Sequence, residues 1–237
     1  MNSPELIENI RSFCIENQNT ENALIVKRYF KEAPDSYGLT QPQMNEKAKQ
    51  LLREKAITLQ TVLEAVPELF NSAKYEEVTL GLLLVNGFEK QYTKELFDEI
   101  GTWFSYSIYN WAHADTLGMF ILPKFFKYKV IEDKDFKSWL KSKYKFQRRC
   151  VPVTIIKTIK TRDNFQSLFK FLEQLMTDPE REVHQGMGWF LRECWKIKPA
   201  ETEEFLLKWK DNAPRLIIQY ATEKMGKEEK ERFRRGK

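Results

Sequence analysis

Apolar residues recur at spacings of three and four along this chain. Leu82, Val85 and Phe88 do so in one segment, and Phe165, Leu168, Phe169, Leu172 and Leu175 in another. That is the period of one face of an α-helix, whereas a strand buries alternate residues. Punctuation is sparse, with nine glycines and nine prolines in 237 residues. The pattern predicts an all-α protein with helices near 3–17, 21–32, 42–55, 58–71, 74–87, 91–106, 108–127, 132–142, 146–159, 163–177, 181–197, 200–210 and 213–225. Thr58 and Thr161 are expected caps, and Asp178-Pro179 and Lys198-Pro199 expected stops. Pro152 falls inside one expected helix and should kink it or move its start. Residues 227–237 are nearly all charged and are expected to fray, leaving residues 1–226 as a single helical domain.

Helices joined by short connectors cannot each bury a face alone. Stacked antiparallel pairs of about 40 residues solve this as a HEAT/armadillo-like curved solenoid with a concave groove. A globular helical bundle is the alternative arrangement. Apolar residues make up 42% of the chain, enough for a core, and no run of about 18 apolar residues suggests a membrane span. The first residues lack the basic and apolar regions of a signal peptide. Cys14, Cys150 and Cys194 are widely spaced and odd in number, the pattern of free thiols in a reducing compartment. With two histidines, His113 and His184, His-based metal sites and most catalytic triads fall away. No metal or cofactor is expected. A cytoplasmic protein is expected, with no membrane and no obligate protein partner.

Charge is distributed unevenly. The net charge is +5. Residues 136–162 hold nine basic residues and no acidic one: Lys137, Lys141, Lys143, Lys145, Arg148, Arg149, Lys157, Lys160 and Arg162. Residues 1–90 hold 10 basic and 13 acidic residues. A basic stretch in an otherwise slightly acidic chain reads as a surface for an anionic partner, nucleic acid above all, or as a solvated helix face.

Three short segments carry possible chemistry. In Asn110-Trp111-Ala112-His113-Ala114-Asp115, Trp111 and Asp115 are four apart and share a helix face, while His113 points elsewhere. An indole face and a carboxylate together can surround a developing cation. The same pair also reads as a core tryptophan and a surface acid. In Phe146-Gln147-Arg148-Arg149, two arginines offer rigid forks for phosphate. In Gly186-Met187-Gly188-Trp189, two glycines cost helix stability, which is tolerated where a neighbouring helix or a ligand must approach the backbone. Trp111 and Arg148 are 37 residues apart, and Arg148 and Trp189 are 41 apart. Each interval is close to one two-helix repeat, so in a solenoid Trp111, Asp115, Arg148 and Trp189 are expected to line one basic groove.

At these residues the sequence resembles the AlkD-type DNA alkylation repair glycosylases, HEAT-like helical proteins of about this length. The resemblance runs over most of the chain. Trp111 and Asp115 match the family's Trp-x-x-x-Asp pair, and Phe146-Gln147-Arg148 its apolar-Gln-Arg segment. Gly188-Trp189-Phe190-Leu191-Arg192-Glu193 matches its Gly-Trp-x-Leu-Arg-Glu signature, the most specific of the set. Tyr37-Gly38-Leu39-Thr40-Gln41-Pro42 resembles an early glycine turn. Asn110, His113, Arg149 and Pro152 depart from the residues expected around these motifs.

The resemblance implies a monofunctional glycosylase that releases cationic N3- or N7-alkylated purines from duplex DNA. Asp115 would stabilise the oxocarbenium-like sugar and hold the attacking water, with Trp111 and Trp189 packed against the sugar. Arg148 would hold the phosphate beside the lesion, and Gln147, Arg149, Lys143 and Lys145 complete the expected DNA-binding set. A non-catalytic DNA-binding protein of the same fold, for branched or damaged DNA, is the first alternative. A HEAT-like protein-interaction scaffold is the second.

Overall fold

The structure is a computed structural model that describes residues 1–53 and 57–234. Fourteen α-helices, short 3-10 turns and no strand occur among the described residues, so the protein is all-α as the periodicity predicts. No helix among them is long and apolar enough to cross a membrane. The chain divides into two compact units, Met1–Thr116 and Leu117–Lys237.

The first unit holds α1 (Ser3–Glu16), α2 (Thr20–Lys27), α3 (Gln41–Arg53), α4 (Leu59–Asn71), α5 (Tyr75–Asn86), α6 (Lys94–Trp103) and α7 (Trp111–Thr116). Asn2, Asn19, Thr58 and Thr93 each cap a helix by accepting the backbone N–H three residues on. The core is built from Leu6, Ile10 and Cys14 of α1, Val62, Val66 and Leu69 of α4, Leu80 and Leu84 of α5, and Ile100 and Trp103 of α6. α5 is apolar nearly all round, yet its first turn buries two carboxylates, Glu76 and Glu77. Buried carboxylates are tolerated only when fully hydrogen-bonded, and these are. Glu76 accepts from the Ser36 hydroxyl at 2.6 Å and from the backbone N–H groups of Tyr37, Gly38 and Leu39 at 2.9, 2.8 and 3.1 Å. Glu77 accepts from the Tyr37 hydroxyl at 2.9 Å and from Arg11 Nε at 3.2 Å. These bonds hold the turn that leads into α3.

Gly38 is the pivot of that turn. Its φ of +84° belongs to the left-handed region, and a Cβ there would lie 2.0 Å from the Asn19 carbonyl oxygen. The same turn holds the start of α2, since the Asn19 N–H donates to the Tyr37 carbonyl at 2.8 Å. α2 needs this tether because none of its residues is buried.

The second unit holds α8 (Leu122–Lys127), α9 (Lys145–Ile156), α10 (Phe165–Leu172), α11 (Arg181–Trp195), α12 (Pro199–Trp209), α13 (Arg215–Ala221) and α14 (Lys227–Glu231). α11 is packed between α9 and α13, and its two glycines explain how. A Cβ on Gly186 would lie 3.0 Å from Arg149 Cγ on α9. One on Gly188 would lie 2.5 Å from Tyr220 Cβ and 2.9 Å from the Ile217 carbonyl oxygen on α13. Neighbouring helices, not a ligand, take the space that the glycines leave.

Several boundaries differ from the sequence expectation. The helix expected over 108–127 begins at Trp111 and is interrupted by a π-helical segment, Leu117–Ile121, ahead of α8. Pro123 has no N–H to give the carbonyl four residues back, so the α register gives way just before it. The helix expected over 132–142 is two 3-10 turns, Asp133–Phe136 and Trp139–Lys141, which still bury Phe136, Trp139 and Leu140. α9 runs through Pro152 from a start at Lys145. The cap of α10 is Asn164, whose side chain accepts the Ser167 N–H at 2.9 Å; Thr161 instead closes a 3-10 turn. Residues 227–234, expected to fray, contain α14 and the fully buried Phe233, whose carbonyl accepts from Arg215 Nη1 at 2.9 Å. One aromatic anchor outweighs the surrounding charge; residues 235–237 lie outside the described residues.

Candidate functional site

In the first unit the candidate residues sit on α7. Asn110 starts this helix, its Oδ1 accepting the His113 N–H at 2.9 Å. The helix turns His113 and Ala114 into the core and leaves Trp111 exposed and Asp115 half-buried. Trp111 is 40% exposed but its ring is not loose. Its Nε1–H donates to the Tyr29 carbonyl at 3.3 Å, and the indole stacks on Phe30 at 5.3 Å between centroids and 22° between planes. The ring forms one wall of a cleft of about 290 Å³ lined also by Ile25, Tyr29, Phe30, Met44 and Tyr75. Tyr29, Phe30 and Tyr75 were not legible as site residues. They lie 36 or more positions from Trp111 and belong to no motif.

The hydrogen bonds around His113 fix the tautomer of its neutral ring. Asn110 Oδ1 is committed to a backbone N–H, so its NH₂ faces His113 Nδ1 at 2.9 Å, and that nitrogen must accept. Nε2 therefore carries the proton and donates to the Tyr75 carbonyl at 3.1 Å, with Thr79 Oγ1 also at 3.1 Å. The ring stacks on Tyr75 at 4.8 Å. Desolvation by burial depresses the His113 pKa to about 4, against which the Tyr75 carbonyl acts only in part. The imidazole is neutral and inaccessible, so the histidine next to the candidate pair is part of the scaffold.

The second unit holds the other candidates. Three of them meet as a clamp between α9 and the chain entering α11. Arg148 donates from Nε and Nη2 to the Asp178 carboxylate at 2.6 and 3.0 Å and from Nη1 to the Ser142 carbonyl at 2.7 Å. Arg149 donates from Nη1 to the Glu182 carbonyl at 2.8 Å, and Lys145 pairs with the Glu182 carboxylate at 3.0 Å. Arg149 and Gln147 are buried, Gln147 accepting from the Ser142 hydroxyl at 2.5 Å, so the expectation that both face DNA meets a physical obstacle. Trp189, on the glycine-flanked part of α11, is half-buried. Lys143 is exposed, with its ammonium over the Tyr144 ring at 5.1 Å.

Burial and pairing sort the basic stretch. Arg148, Lys145 and Arg162 are neutralised by Asp178, Glu182 and Asp133, acids from outside it. Lys137, Lys141, Lys143, Lys157 and Lys160 remain exposed, with no ion pair among the described residues. The units differ in sign as well. The first has 11 basic and 17 acidic residues, net −6, and the second 28 basic and 17 acidic, net +11. All three cysteines are buried and outside any disulfide, and burial pushes Cys14 up to about 12 and Cys194 well above its ordinary value.

Comparison with known proteins agrees with this architecture. The profile of the family described as DNA alkylation repair enzyme matches residues 11–225. A predicted DNA alkylation repair enzyme from Enterococcus faecalis has the same fold, with a TM-score of 0.77 at 17% identity over 89% of this chain and 97% of its own. AlkD2 from Streptococcus mutans aligns with a TM-score of 0.58 at 18% identity over 86% of this chain and 98% of its own. No curated sequence matches closely enough to count as a relative. The fold is the all-helical repeat fold of the AlkD type, and with the family profile spanning nearly the whole chain, the protein belongs to the DNA alkylation repair enzyme family.

Proposed function

We propose that this protein is a monofunctional DNA glycosylase that hydrolyses the N-glycosidic bond of cationic N3- or N7-alkylated purines in duplex DNA. The observation that carries the reading is the way α7 divides its side chains. It presents Trp111 and Asp115 on one face and buries the neutral His113 on another. That leaves an anion and a ring face for a developing cation and no histidine acid for the leaving group. A cationic alkylpurine needs none. As its C1′–N bond breaks, the electron pair neutralises the base, which leaves uncharged. The sugar becomes oxocarbenium-like, Asp115 stabilises it and orients the water, and the water oxygen bonds to C1′ as its proton passes to solvent. The products are a free base and an abasic site.

In the second unit, Lys137, Lys141, Lys143, Lys157 and Lys160 are the proposed phosphate-binding groups, and Trp189 an indole for packing against bound DNA. Arg148 spends three of its five N–H groups inside the protein, which leaves two for a phosphate oxygen. The exposed lysines support the non-catalytic DNA-binding reading equally, so release of base, and not binding, separates the two. Incubating the protein with methylated duplex DNA and separating the freed bases by chromatography tests this. Release of 3-methyladenine or 7-methylguanine is expected; DNA bound with no base released would establish the non-catalytic alternative.

A further inference from the structure

Four aromatic rings close a circuit on α7. Trp111 stacks on Phe30 at 5.3 Å. Phe30 meets Tyr75 edge-on at 5.9 Å and 61°. Tyr75 stacks on His113 at 4.8 Å and 20°. His113 lies two residues after Trp111 and is bonded through both ring nitrogens, to Asn110 on one side and to Tyr75 and Thr79 on the other. The rings come from the chain after α2, the first residue of α5, and α7. An exposed tryptophan on the first turn of a six-residue helix has nothing in its own helix to fix χ1 and χ2. Here the Tyr29 carbonyl holds the indole N–H and the circuit holds the ring plane.

We infer that Phe30, Tyr75 and His113 are positioning residues that fix the orientation of the Trp111 indole for the reaction, an inference that rests on the glycosylase reading above. The reason orientation matters is electrostatic. An aromatic ring is negative on its face and positive at its edge, so the face attracts a nearby cation and the edge repels it. A turn of the indole by a quarter revolution would change the sign of its contribution to an oxocarbenium ion. Preorganisation of this kind acts before the chemical step and adds no cost during it. Asn110 and His113, the two residues of this segment that depart from the family pattern, belong to the circuit or to its cap.

The test is a double-mutant cycle read by single-turnover base release. Phe30→Leu removes one ring and leaves the Tyr29 carbonyl in place. It is expected to lower the rate about tenfold with substrate affinity and melting temperature little changed, and Phe30→Tyr to restore the rate. In a Trp111→Ala background, Phe30→Leu is expected to cause no further loss, because it acts only through the indole. An equal loss in both backgrounds, or a wild-type rate for Phe30→Leu, overturns the inference. If the wild type releases no base, the glycosylase reading fails and positioning is judged separately. The fluorine NMR line of 5-fluorotryptophan at Trp111, assigned by its disappearance in Trp111→Phe, is expected to be single and narrow. Phe30→Leu is expected to broaden or shift it; an unchanged line overturns the positioning.

Discussion

A neutral histidine sealed beside a half-buried carboxylate makes the protein acid-labile in a defined window. His113 binds a proton near pH 6.5 when unfolded and near pH 4 when folded, because burial penalises the imidazolium. Its contribution is fully present above pH 6.5 and falls as pH drops towards 4, since the unfolded chain binds the proton first. The loss across that window is about 3 kcal/mol. Urea unfolding at pH 7, 5.5 and 4.5 measures it, and His113→Gln, which cannot titrate, should lose most of this slope. Arg148 makes a second residue-level prediction. Its partner Asp178 is buried, so Arg148→Ala leaves a carboxylate without its counter-charge. The expected cost is about 3–5 kcal/mol, and Arg148→Met with Asp178→Leu should recover much of it. Weak DNA binding by Arg148→Ala has meaning only beside that stability measurement.

Helices set where these residues can go, and the glycines of α11 show which neighbour decides. Helix propensity alone favours alanine over glycine by about 1 kcal/mol. At Gly188 a new Cβ would meet α13 backbone at 2.9 Å and another Cβ at 2.5 Å, neither of which yields cheaply. Gly188→Ala should therefore destabilise the protein by about 1–3 kcal/mol in urea unfolding, through forced separation of α11 from α13. Gly186→Ala meets the Arg149 side chain first, at 3.0 Å, and should cost less. The sequence signals at this level were uneven. Helix identity and the Trp111/Asp115 pair were legible because both depend on spacing within one element. The break at 117–121 was not, because Pro123 was absorbed into a long apolar run. The clamp of Arg148, Arg149 and Lys145 was also hidden, since Asp178 and Glu182 lie about 30 to 37 residues away and only folding reveals that an acid-free stretch is paired. The same holds for Tyr29, Phe30 and Tyr75 around Trp111.

The molecule as a whole divides its charge, −6 in the first unit and +11 in the second. DNA affinity is therefore expected to reside in the exposed lysines of the second unit, and the carboxylate chemistry in the first. Reversing Lys143, Lys157 and Lys160 to Glu should weaken binding to all duplexes alike. It should also flatten the log–log salt dependence by about 0.9 for each phosphate no longer neutralised. Fluorescence anisotropy across a salt series reads both, and an unchanged slope would place the phosphate-binding groups elsewhere. The most direct test of the proposed chemistry is the single-turnover rate of methylpurine release by Asp115→Asn beside wild type, with both saturated by DNA. Asn keeps the shape and hydrogen bonding of Asp115 and removes its charge. Release should fall by roughly 10²–10³ while affinity holds or rises, since an anion near phosphate has been removed. Release by Asp115→Asn at the wild-type rate would contradict it.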